Sequence, residues 1–283
     1  MTEKQNPEYI SVSSHAYVTL LTTDSYLPGA ETLIKSIQSM KSIFPIICLV
    51  TSNLSLATTA CIKKLGVTLI NIDFIGIGGE IISSRNDQPS GWTAELTKIN
   101  IWNLTNYQKI IYIDCDALVL ENIDHLFEIT KGQSFAAVPD VFPPDKFNAG
   151  VLVIEPNADI FIDMIEKTTI LTSYDGGDTG FLNAYFPNWY NSPASCRLPY
   201  SYNAQRILYW FTHDKCPGYW DICKPIKIIH YSSSPKPWEM KPGSKSNDNK
   251  SSDITVKKKG VGELEMIWWE KQISSNLGSL FHF

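Results

Sequence analysis

Two aspartates, Asp114 and Asp116, stand one residue apart directly after a strongly apolar run over residues 109–113. Burying carboxylates at a strand end without positive partners costs several kcal/mol, so a cation is expected to face them. In an extended segment, alternate side chains point to one side, and oxygen ligands favour a hard divalent ion such as Mg²⁺ or Mn²⁺ over zinc. The structural alternative is that Asp116 caps a turn while Asp114 pairs with a lysine.

A histidine and a lysine follow a second β-branched run, over residues 226–229. His230 stands at the predicted strand end, where an imidazole could complete a metal site. Lys236 lies between two prolines, which limit the freedom of its backbone and favour a preorganised contact with a phosphate. The alternative for His230 is a local hydrogen bond only.

A glycine-rich acidic turn covers residues 175–180 and leads into a predicted helix. Its second aspartate, Asp178, fits the N-cap of that helix. Alternatively, the Asp178 carboxylate reaches a substrate hydroxyl or a developing positive centre.

The segments that must position these residues alternate between strand and helix patterns. Strands are predicted over residues 17–21, 46–50 and 68–72, with helices around residues 31–40 and 56–65 between them. This β-α-β-α-β order predicts an α/β fold with a mostly parallel sheet and a ligand at the carboxyl ends of its strands. Further strands are predicted over residues 109–113, 135–138 and 150–154, and further helices over residues 94–104, 158–169 and 179–185.

The chain divides into four predicted parts. A polar segment covers residues 1–15, a single catalytic domain residues 16–240, and a flexible Ser-, Asn-, Lys- and Gly-rich loop residues 241–260. An amphipathic helix within residues 261–283 is expected to pack back onto the domain.

Composition excludes several classes of protein. The net charge of −5 comes without a basic face, which argues against nucleic acid as a partner. No apolar stretch is long enough for a membrane span, and residues 1–15 lack the apolar centre of a signal peptide. The six scattered cysteines are expected to be free thiols in the cytoplasm. The first strand lacks the G-x-G-x-x-G turn of a nicotinamide-dependent dehydrogenase.

Six collinear blocks between residues 16 and 238 resemble the glycogenin-type branch of the family 8 glycosyltransferases. The blocks cover residues 19–26, 97–107, 112–124, 147–151, 175–183 and 230–238. The resemblance implies a single Rossmann-like nucleotide-sugar-binding domain of GT-A type with a C-terminal helix. It also implies a retaining transferase that uses Mn²⁺ (or Mg²⁺) and is often a homodimer.

The resemblance also implies a role for individual residues. Asp114, Asp116 and His230 would ligate the metal, and Asp178 and Lys236 would be catalytic. The donor-binding set that it implies comprises Leu20, Thr22, Thr23 and Tyr26 at the uracil, Lys98, Asn148, Ala149, Asp175 and Asp178 at the donor and its sugar, Lys236 at the diphosphate, and Cys115, Thr179, His230 and Ser233 beside them. Three positions depart from the family pattern: Ser233 replaces a glycine, Thr179 replaces a glutamine, and an expected arginine has Arg85 as its nearest match.

The expected reaction moves glucose or galactose from UDP-glucose or UDP-galactose to a hydroxyl of an external acceptor such as a protein-linked glycan. One alternative is self-glucosylation in the manner of glycogenin, on Tyr200, Tyr202 or Tyr209. Others are a galactinol-synthase-like enzyme that uses inositol and an inactive UDP-sugar-binding protein. Retention of configuration leaves two courses open: a covalent intermediate on Asp178, or attack from the face of the leaving group.

Overall fold

A computed structural model describes residues 14–77, 81–82, 95–240 and 262–278 of the chain. Within these residues the strands are β1 (His15–Leu21), β2 (Ile46–Thr51), β3 (Thr68–Ile72), β4 (Phe74–Ile75), β5 (Ile81–Ile82), β6 (Lys109–Ile113), β7 (Ala117–Val119), β8 (Phe135–Pro139), β9 (Phe147–Ile154), β10 (Ala204–Gln205) and β11 (Ile228–His230). The helices are α1 (Leu27–Ser39), α2 (Leu56–Lys64), α3 (Leu126–Ile129), α4 (Ala158–Lys167), α5 (Asp178–Tyr185), α6 (Arg206–Thr212), α7 (Gly218–Asp221) and α8 (Glu263–Gly278).

The central sheet has six strands in the order β3-β2-β1-β6-β9-β8. The pairs β3–β2, β2–β1 and β1–β6 are parallel, whereas β6–β9 and β9–β8 are antiparallel. The predicted α/β fold with a mostly parallel sheet is therefore confirmed. From β1 the chain builds outward to β2 and β3 and then returns to the other side of β1 with β6. Such a reversal of strand order opens a crevice at the carboxyl ends of the two strands.

A second sheet, in the order β10-β11-β7, lies beside this crevice. In the antiparallel pair β11–β7, His230 is opposite Ala117, the residue that follows Asp116. This register brings the end of β11 to the aspartates that follow β6.

Apolar side chains fill both faces of the central sheet. Trp102 and Phe147 belong to the cluster on one face, and Leu33 and Ile111 belong to the cluster on the other. Helix α2 begins after Ser55, whose hydroxyl accepts from the Thr58 backbone N–H, as expected for an N-cap. Among the described helices, none combines the length and the apolar character of a membrane span.

The structure differs from the sequence prediction at several element boundaries. Residues 97–103 form a 3₁₀ helix rather than an α-helix, and the side chains of Ile99 and Trp102, three residues apart, are both in the core, as three residues per turn require. Strand β9 begins at Phe147 rather than at residue 150, because a β-bulge between Ala137 and Val138 extends its pairing with β8. The short strand β5, which was not predicted, pairs with β4. The predicted loop over residues 241–260 lies outside the described residues, as does Arg85.

Candidate active site

The carboxyl ends of β1 and β6 open into a cavity of about 460 Å³. Among the described residues, the predicted ones that line it are Leu20, Thr22, Thr23, Tyr26, Lys98, Asp114, Cys115, Asp116, Asn148, Asp175, Asp178, Thr179, His230 and Lys236. Ala149 and Ser233 do not line it. The fold therefore gathers most of the predicted site from six separate parts of the chain.

Two carboxylates and an imidazole form a compact cluster at the bottom of this site. Ligand atoms of Asp114, Asp116 and His230 all lie within 4.8 Å of one another. His230 Nε2 is 3.2 Å from Asp116 Oδ1 and 3.8 Å from Asp114 Oδ2. Two hard oxygen donors with one imidazole suit Mn²⁺ or Mg²⁺, so the residues present fit the predicted divalent ion.

The orientation of His230 is fixed by two asparagines. Asn203 Nδ2 donates to Asn148 Oδ1 at 2.9 Å, which leaves Asn203 Oδ1 to accept from His230 Nδ1 at 2.8 Å. With the Nδ1 proton held by Asn203, Nε2 faces the carboxylates, which is the ring orientation that a metal ligand needs. The sequence analysis missed Asn203.

Lys236 reaches the same cluster from the opposite side. Its ammonium donates to Asp116 Oδ2 at 2.6 Å and to the Tyr231 carbonyl at 2.9 Å. Glu239 Oε2 accepts from the Lys236 backbone N–H at 2.7 Å and fixes the segment. Burial raises the pKa of Asp116, but His230 and Lys236 outweigh it and lower this pKa below its ordinary value. Asp116 is therefore a carboxylate at neutral pH.

Lys98 joins the cluster to the acidic turn. Its ammonium lies 2.9 Å from Asp114 Oδ1 and forms a second ion pair with Asp178. Burial disfavours the charged form of Lys98, but the two carboxylates outweigh it and raise the pKa of the ammonium. The alternative in which Asp114 pairs with a lysine thus holds alongside the cluster, whereas Asp116 pairs with His230 and Lys236 rather than capping a turn.

The whole arrangement matches one known family. The chain matches the model of glycosyl transferase family 8 over residues 17–241. The chain belongs to this family. It is therefore a glycosyltransferase, and the predicted resemblance to glycogenin-type enzymes is confirmed.

Curated relatives agree with this assignment, and two solved structures share the fold. Glycogenin-1 of Mus musculus is 31% identical over 274 residues, which cover 96% of this chain and 79% of the mouse protein. Inositol phosphorylceramide glucuronosyltransferase 1 of Arabidopsis thaliana is 32% identical over 250 residues, 80% of this chain and 43% of that protein. The apo form of the glycosyltransferase GlyE of Streptococcus pneumoniae shares the fold, with a TM-score of 0.64 at 24% identity over 94% of this chain and 63% of that one. The galactosyltransferase LgtC in complex with donor and acceptor sugar analogs has a TM-score of 0.60 at 18% identity, and the match covers 92% of this chain and 95% of that one.

In this glycosyltransferase the acidic turn uses its first aspartate, not its second, to begin α5. Asp175 Oδ1 accepts from the backbone N–H groups of Gly177 and Gly180, each at 2.9 Å. The N-cap position belongs to Gly177, so the interpretation of Asp178 as the N-cap is wrong. Asp178 is the first residue of α5, and its carboxylate is directed to Lys98. Burial raises the pKa of Asp178, although Lys98 opposes the shift.

Two predicted residues, Ala149 and Ser233, lie outside the cavity lining and contact residues that line or adjoin the cavity. The Ala149 backbone N–H donates to Thr179 Oγ1 at 3.1 Å, and its carbonyl accepts from Lys98 at 3.1 Å. The Ser233 hydroxyl lies against the Arg206 guanidinium, 3.0 Å from Nη2, whereas the neighbouring Ser232 lines the cavity.

One carboxyl group of the cavity was missed by the sequence analysis. Glu95 lines the site beside the start of α5 and accepts a hydrogen bond from the Asp178 backbone N–H. Burial and the nearby Asp178 carboxylate raise the pKa of Glu95 to about 7. Its position three residues before Lys98, on the next turn of a helical segment, is the signal that could have identified it.

Proposed function

We propose that the protein is a retaining α-hexosyltransferase that moves glucose or galactose from UDP-glucose or UDP-galactose to a hydroxyl group of an external acceptor, such as a protein-linked glycan. The observation that carries this proposal is the convergence of the cluster of Asp114, Asp116 and His230 with Lys98, Lys236 and Asp178 on one cavity. The cavity combines oxygen ligands, cations and a carboxylate, which are the groups that a nucleotide diphosphate joined to a sugar requires.

In this proposal the donor extends from the end of β1 to the acidic turn. The uracil lies among Leu20, Thr22, Thr23 and Tyr26, and the diphosphate lies against both the cluster and the adjoining Lys236. The sugar lies beside Asn148, Asp175 and Asp178. A divalent ion held by Asp114, Asp116 and His230 would neutralise charge on the phosphoryl oxygens.

The reaction breaks the bond between the anomeric carbon and the diphosphate oxygen, so negative charge develops on the departing UDP. Lys236, already oriented by Asp116 and the Tyr231 carbonyl, stabilises that charge. The anomeric carbon gains positive character, which the Asp178 carboxylate faces. The acceptor oxygen forms the new bond, and its proton passes to the leaving phosphate in front-face attack. In the other course, the Asp178 carboxylate displaces UDP and forms a bond to the anomeric carbon. The acceptor oxygen then displaces that carboxylate, and its proton passes to the departing phosphate.

The three tyrosines considered for self-glucosylation are already hydrogen-bonded in the fold. Tyr202 OH is 2.6 Å from His125 Nε2, and Tyr209 OH donates to Glu263 at 2.8 Å. Tyr200 OH donates to the Gln205 carbonyl at 3.0 Å. Glucosylating any of them would break an internal hydrogen bond, and this supports an external acceptor over these three positions.

Compartment and assembly complete the proposal. All six cysteines are free thiols in the structure, which supports a reducing compartment such as the cytoplasm. The resemblance to glycogenin-type enzymes supports a homodimer, which sedimentation of the pure protein would test.

A donor screen tests the proposed function. The pure protein is incubated with Mn²⁺ and, in separate reactions, UDP-glucose, UDP-galactose or UDP-glucuronic acid, the last because a plant relative is a glucuronosyltransferase. Release of free hexose from UDP-glucose or UDP-galactose at unchanged protein mass is the expected result, and addition of inositol tests the galactinol-synthase-like alternative. A ladder of hexose additions on the protein itself would favour self-glucosylation. Release of UDP from no donor, with or without inositol or glycan acceptors, would contradict the proposal.

A further inference from the structure

The segment between His230 and Lys236 is held by a buried arginine from another part of the chain. Arg206, the first residue of α6, is 0% exposed. Its Nη2 donates to the Ser233 carbonyl at 2.5 Å and to the Pro235 carbonyl at 2.8 Å. Its Nε also contacts the Ser233 hydroxyl at 3.2 Å. One guanidinium therefore fixes two backbone carbonyls just before the lysine that faces the diphosphate site.

The counter-ion of Arg206 comes from the C-terminal helix. Arg206 Nη1 donates to Glu265 Oε1 at 3.0 Å, and Glu265 on α8 is 1% exposed. The other carboxylate oxygen of Glu265 accepts from the Gly262 backbone N–H at 3.0 Å. The guanidinium also lies 4.1 Å from the centre of the Trp210 ring. These contacts fix the guanidinium in the orientation in which it donates to the Ser233 and Pro235 carbonyls.

A second line of contacts joins the same helix to the other side of the cavity. Trp268 of α8 packs against Trp238, with 5.8 Å between ring centres. Trp238 in turn packs edge-on against Tyr26, at 5.4 Å, and Tyr26 lines the cavity. Helix α8 thus supports both the lysine segment and a wall of the cavity.

A buried ion pair is a poor way to gain stability, because removing two charges from water offsets most of their attraction. An apolar pair of similar volume would hold α8 as well. Only a guanidinium, with five N–H donors in a planar fork, can bind a carboxylate on one side and two carbonyls on the other. The presence of arginine at this position is therefore explained by its role in fixing the Ser233–Pro235 segment.

We propose that Arg206 is a positioning residue that couples the docking of helix α8, through Glu265, to the placement of Lys236 at the donor diphosphate. This inference rests on the proposed function, in which Lys236 contacts that diphosphate. It implies that the affinity for UDP depends on a contact made by the C-terminal helix, remote from the cavity.

The central test replaces both charges with apolar side chains, R206M together with E265L, and measures UDP binding by calorimetry at saturating Mn²⁺ beside thermal unfolding. We expect only a modest fall in the melting temperature, because replacing a buried ion pair is often neutral, whereas the Ser233 and Pro235 carbonyls lose their donor. We expect the Kd for UDP to rise about tenfold or more, equivalent to about 1.4 kcal/mol. An unchanged Kd for UDP in the folded variant would overturn the inference.

A matched pair of single substitutions covers the case in which the double variant fails to fold. E265Q removes the charge that holds Arg206. E263Q removes a charge from the same helix, at a carboxylate that accepts from Tyr209. Weaker UDP binding by E265Q at unchanged binding by E263Q supports the inference. Equal UDP affinity of E265Q and the wild type overturns it.

Combination with K236M separates positioning from a general structural effect. If Arg206 acts through Lys236, then R206M with E265L weakens UDP binding in the wild type but adds nothing in the K236M background. Additive losses would contradict the inference. A wild-type protein that binds no UDP would instead reject the proposed function, so the two failures are distinguishable.

Discussion

Asp116 is the residue on which the charges of the site converge. It is 8% exposed and accepts from Lys236 while facing His230 Nε2. The two partners approach different oxygens of the carboxylate, so Asp116 joins the cluster to the Lys236 ammonium. Loss of its charge would leave a buried ammonium without its closest counter-ion.

Replacing Asp116 with Asn is therefore expected to lower the rate of UDP-sugar hydrolysis or transfer at least about 100-fold, because both metal ligation and the orientation of Lys236 are lost. The rate is measured as UDP release at saturating Mn²⁺. The matched control is D163N on α4, a half-buried carboxylate paired with Lys167 and Tyr185 outside the cavity. Equal rates for D116N and D163N would contradict the role of Asp116.

Glu95 makes the stability of the folded protein depend on pH. Its pKa is raised from 4.5 to about 7, mainly by burial and by Asp178, so the folded protein binds this proton more tightly than the unfolded chain does. Stability that is present at low pH is lost as the pH rises through this window. Lys98, which favours the ionised form, and Asp175, which opposes it, also face the group.

Replacing Glu95 with Gln should remove that loss. We expect the free energy of unfolding of E95Q, relative to the wild type, to increase between about pH 5 and about pH 8. Urea denaturation at both pH values measures it, and E166Q at an exposed position of α4 is the control. A wild-type-to-E95Q difference that is the same at both pH values would refute the expected titration.

For single residues, the sequence predicts those site positions that lie at the ends of strands. It does not predict contacts between segments that are far apart along the chain. Asp114, Asp116 and His230 follow apolar runs, so their convergence could be expected. The partner of Ser233 could not, because Arg206 is remote along the chain and nothing in its local pattern marks it as buried. The sequence also left open whether Asp178 caps the helix or faces the cavity, because an aspartate at a helix start fits both. In the structure Gly177 is the N-cap, and Asp178 pairs with Lys98.

Gly150 of strand β9 has no side chain, and this leaves room for His230 in the cluster. A Cβ atom on Gly150 would lie 2.2 Å from His230 Cε1 and 2.5 Å from His230 Nδ1. No real contact is that short, so only glycine lets the imidazole lie against this strand. Strand β9 thus helps to place His230 in the cluster with Asp114 and Asp116 without contributing a member of it.

Replacing Gly150 with Ala is expected to displace His230 and to weaken Mn²⁺ binding about 10- to 100-fold, as loss of a supporting contact at a metal site does. Titration of Mn²⁺ followed by electron paramagnetic resonance measures the affinity without reference to activity. The control is G218A on α7, where a Cβ would meet nothing within 4 Å. Unchanged Mn²⁺ affinity in a folded G150A protein would show that the imidazole does not depend on this contact.

The element predictions succeed where apolar periodicity is strong. The runs that became β1, β2 and β6 are almost fully buried and rich in apolar and β-branched residues, which favours strands, whereas the correctly predicted β3 is only partly buried. The start of β9 was missed because Asn148, Ala149 and Gly150 are polar or small, although they pair in the sheet and support the site. The segment over residues 97–103 was predicted as an α-helix because the spacing of apolar residues in a 3₁₀ helix differs from that in an α-helix by only a fraction of a residue per turn.

For the whole molecule, the strand order explains how distant segments form one site. The reversal between β1 and β6 places Thr22 and Asp114 on the two walls of one crevice, and β11 adds His230 from the second sheet. The sequence predicted the α/β class and the edge of the sheet at which the cavity opens. It could not predict the antiparallel additions β9 and β8, because pairing direction is a long-range property that no local pattern carries.

Ligand binding should stabilise the whole fold, since the cavity collects residues from both sheets. At UDP and Mn²⁺ concentrations about 100 times the Kd, the added free energy of unfolding is about 2.7 kcal/mol, which raises the melting temperature by several degrees. Chelation of the metal with EDTA in the presence of UDP is expected to remove most of that rise. A rise in melting temperature with UDP that persists in EDTA would contradict metal-assisted binding.

The most direct measurement of the central claim is the position of Mn²⁺ in crystals grown with Mn²⁺ and UDP, located by anomalous scattering. We predict one peak within roughly 2.0–2.6 Å of ligand atoms from Asp114, Asp116 and His230, in contact with diphosphate oxygens. Bound UDP with no manganese at these three side chains would contradict the account.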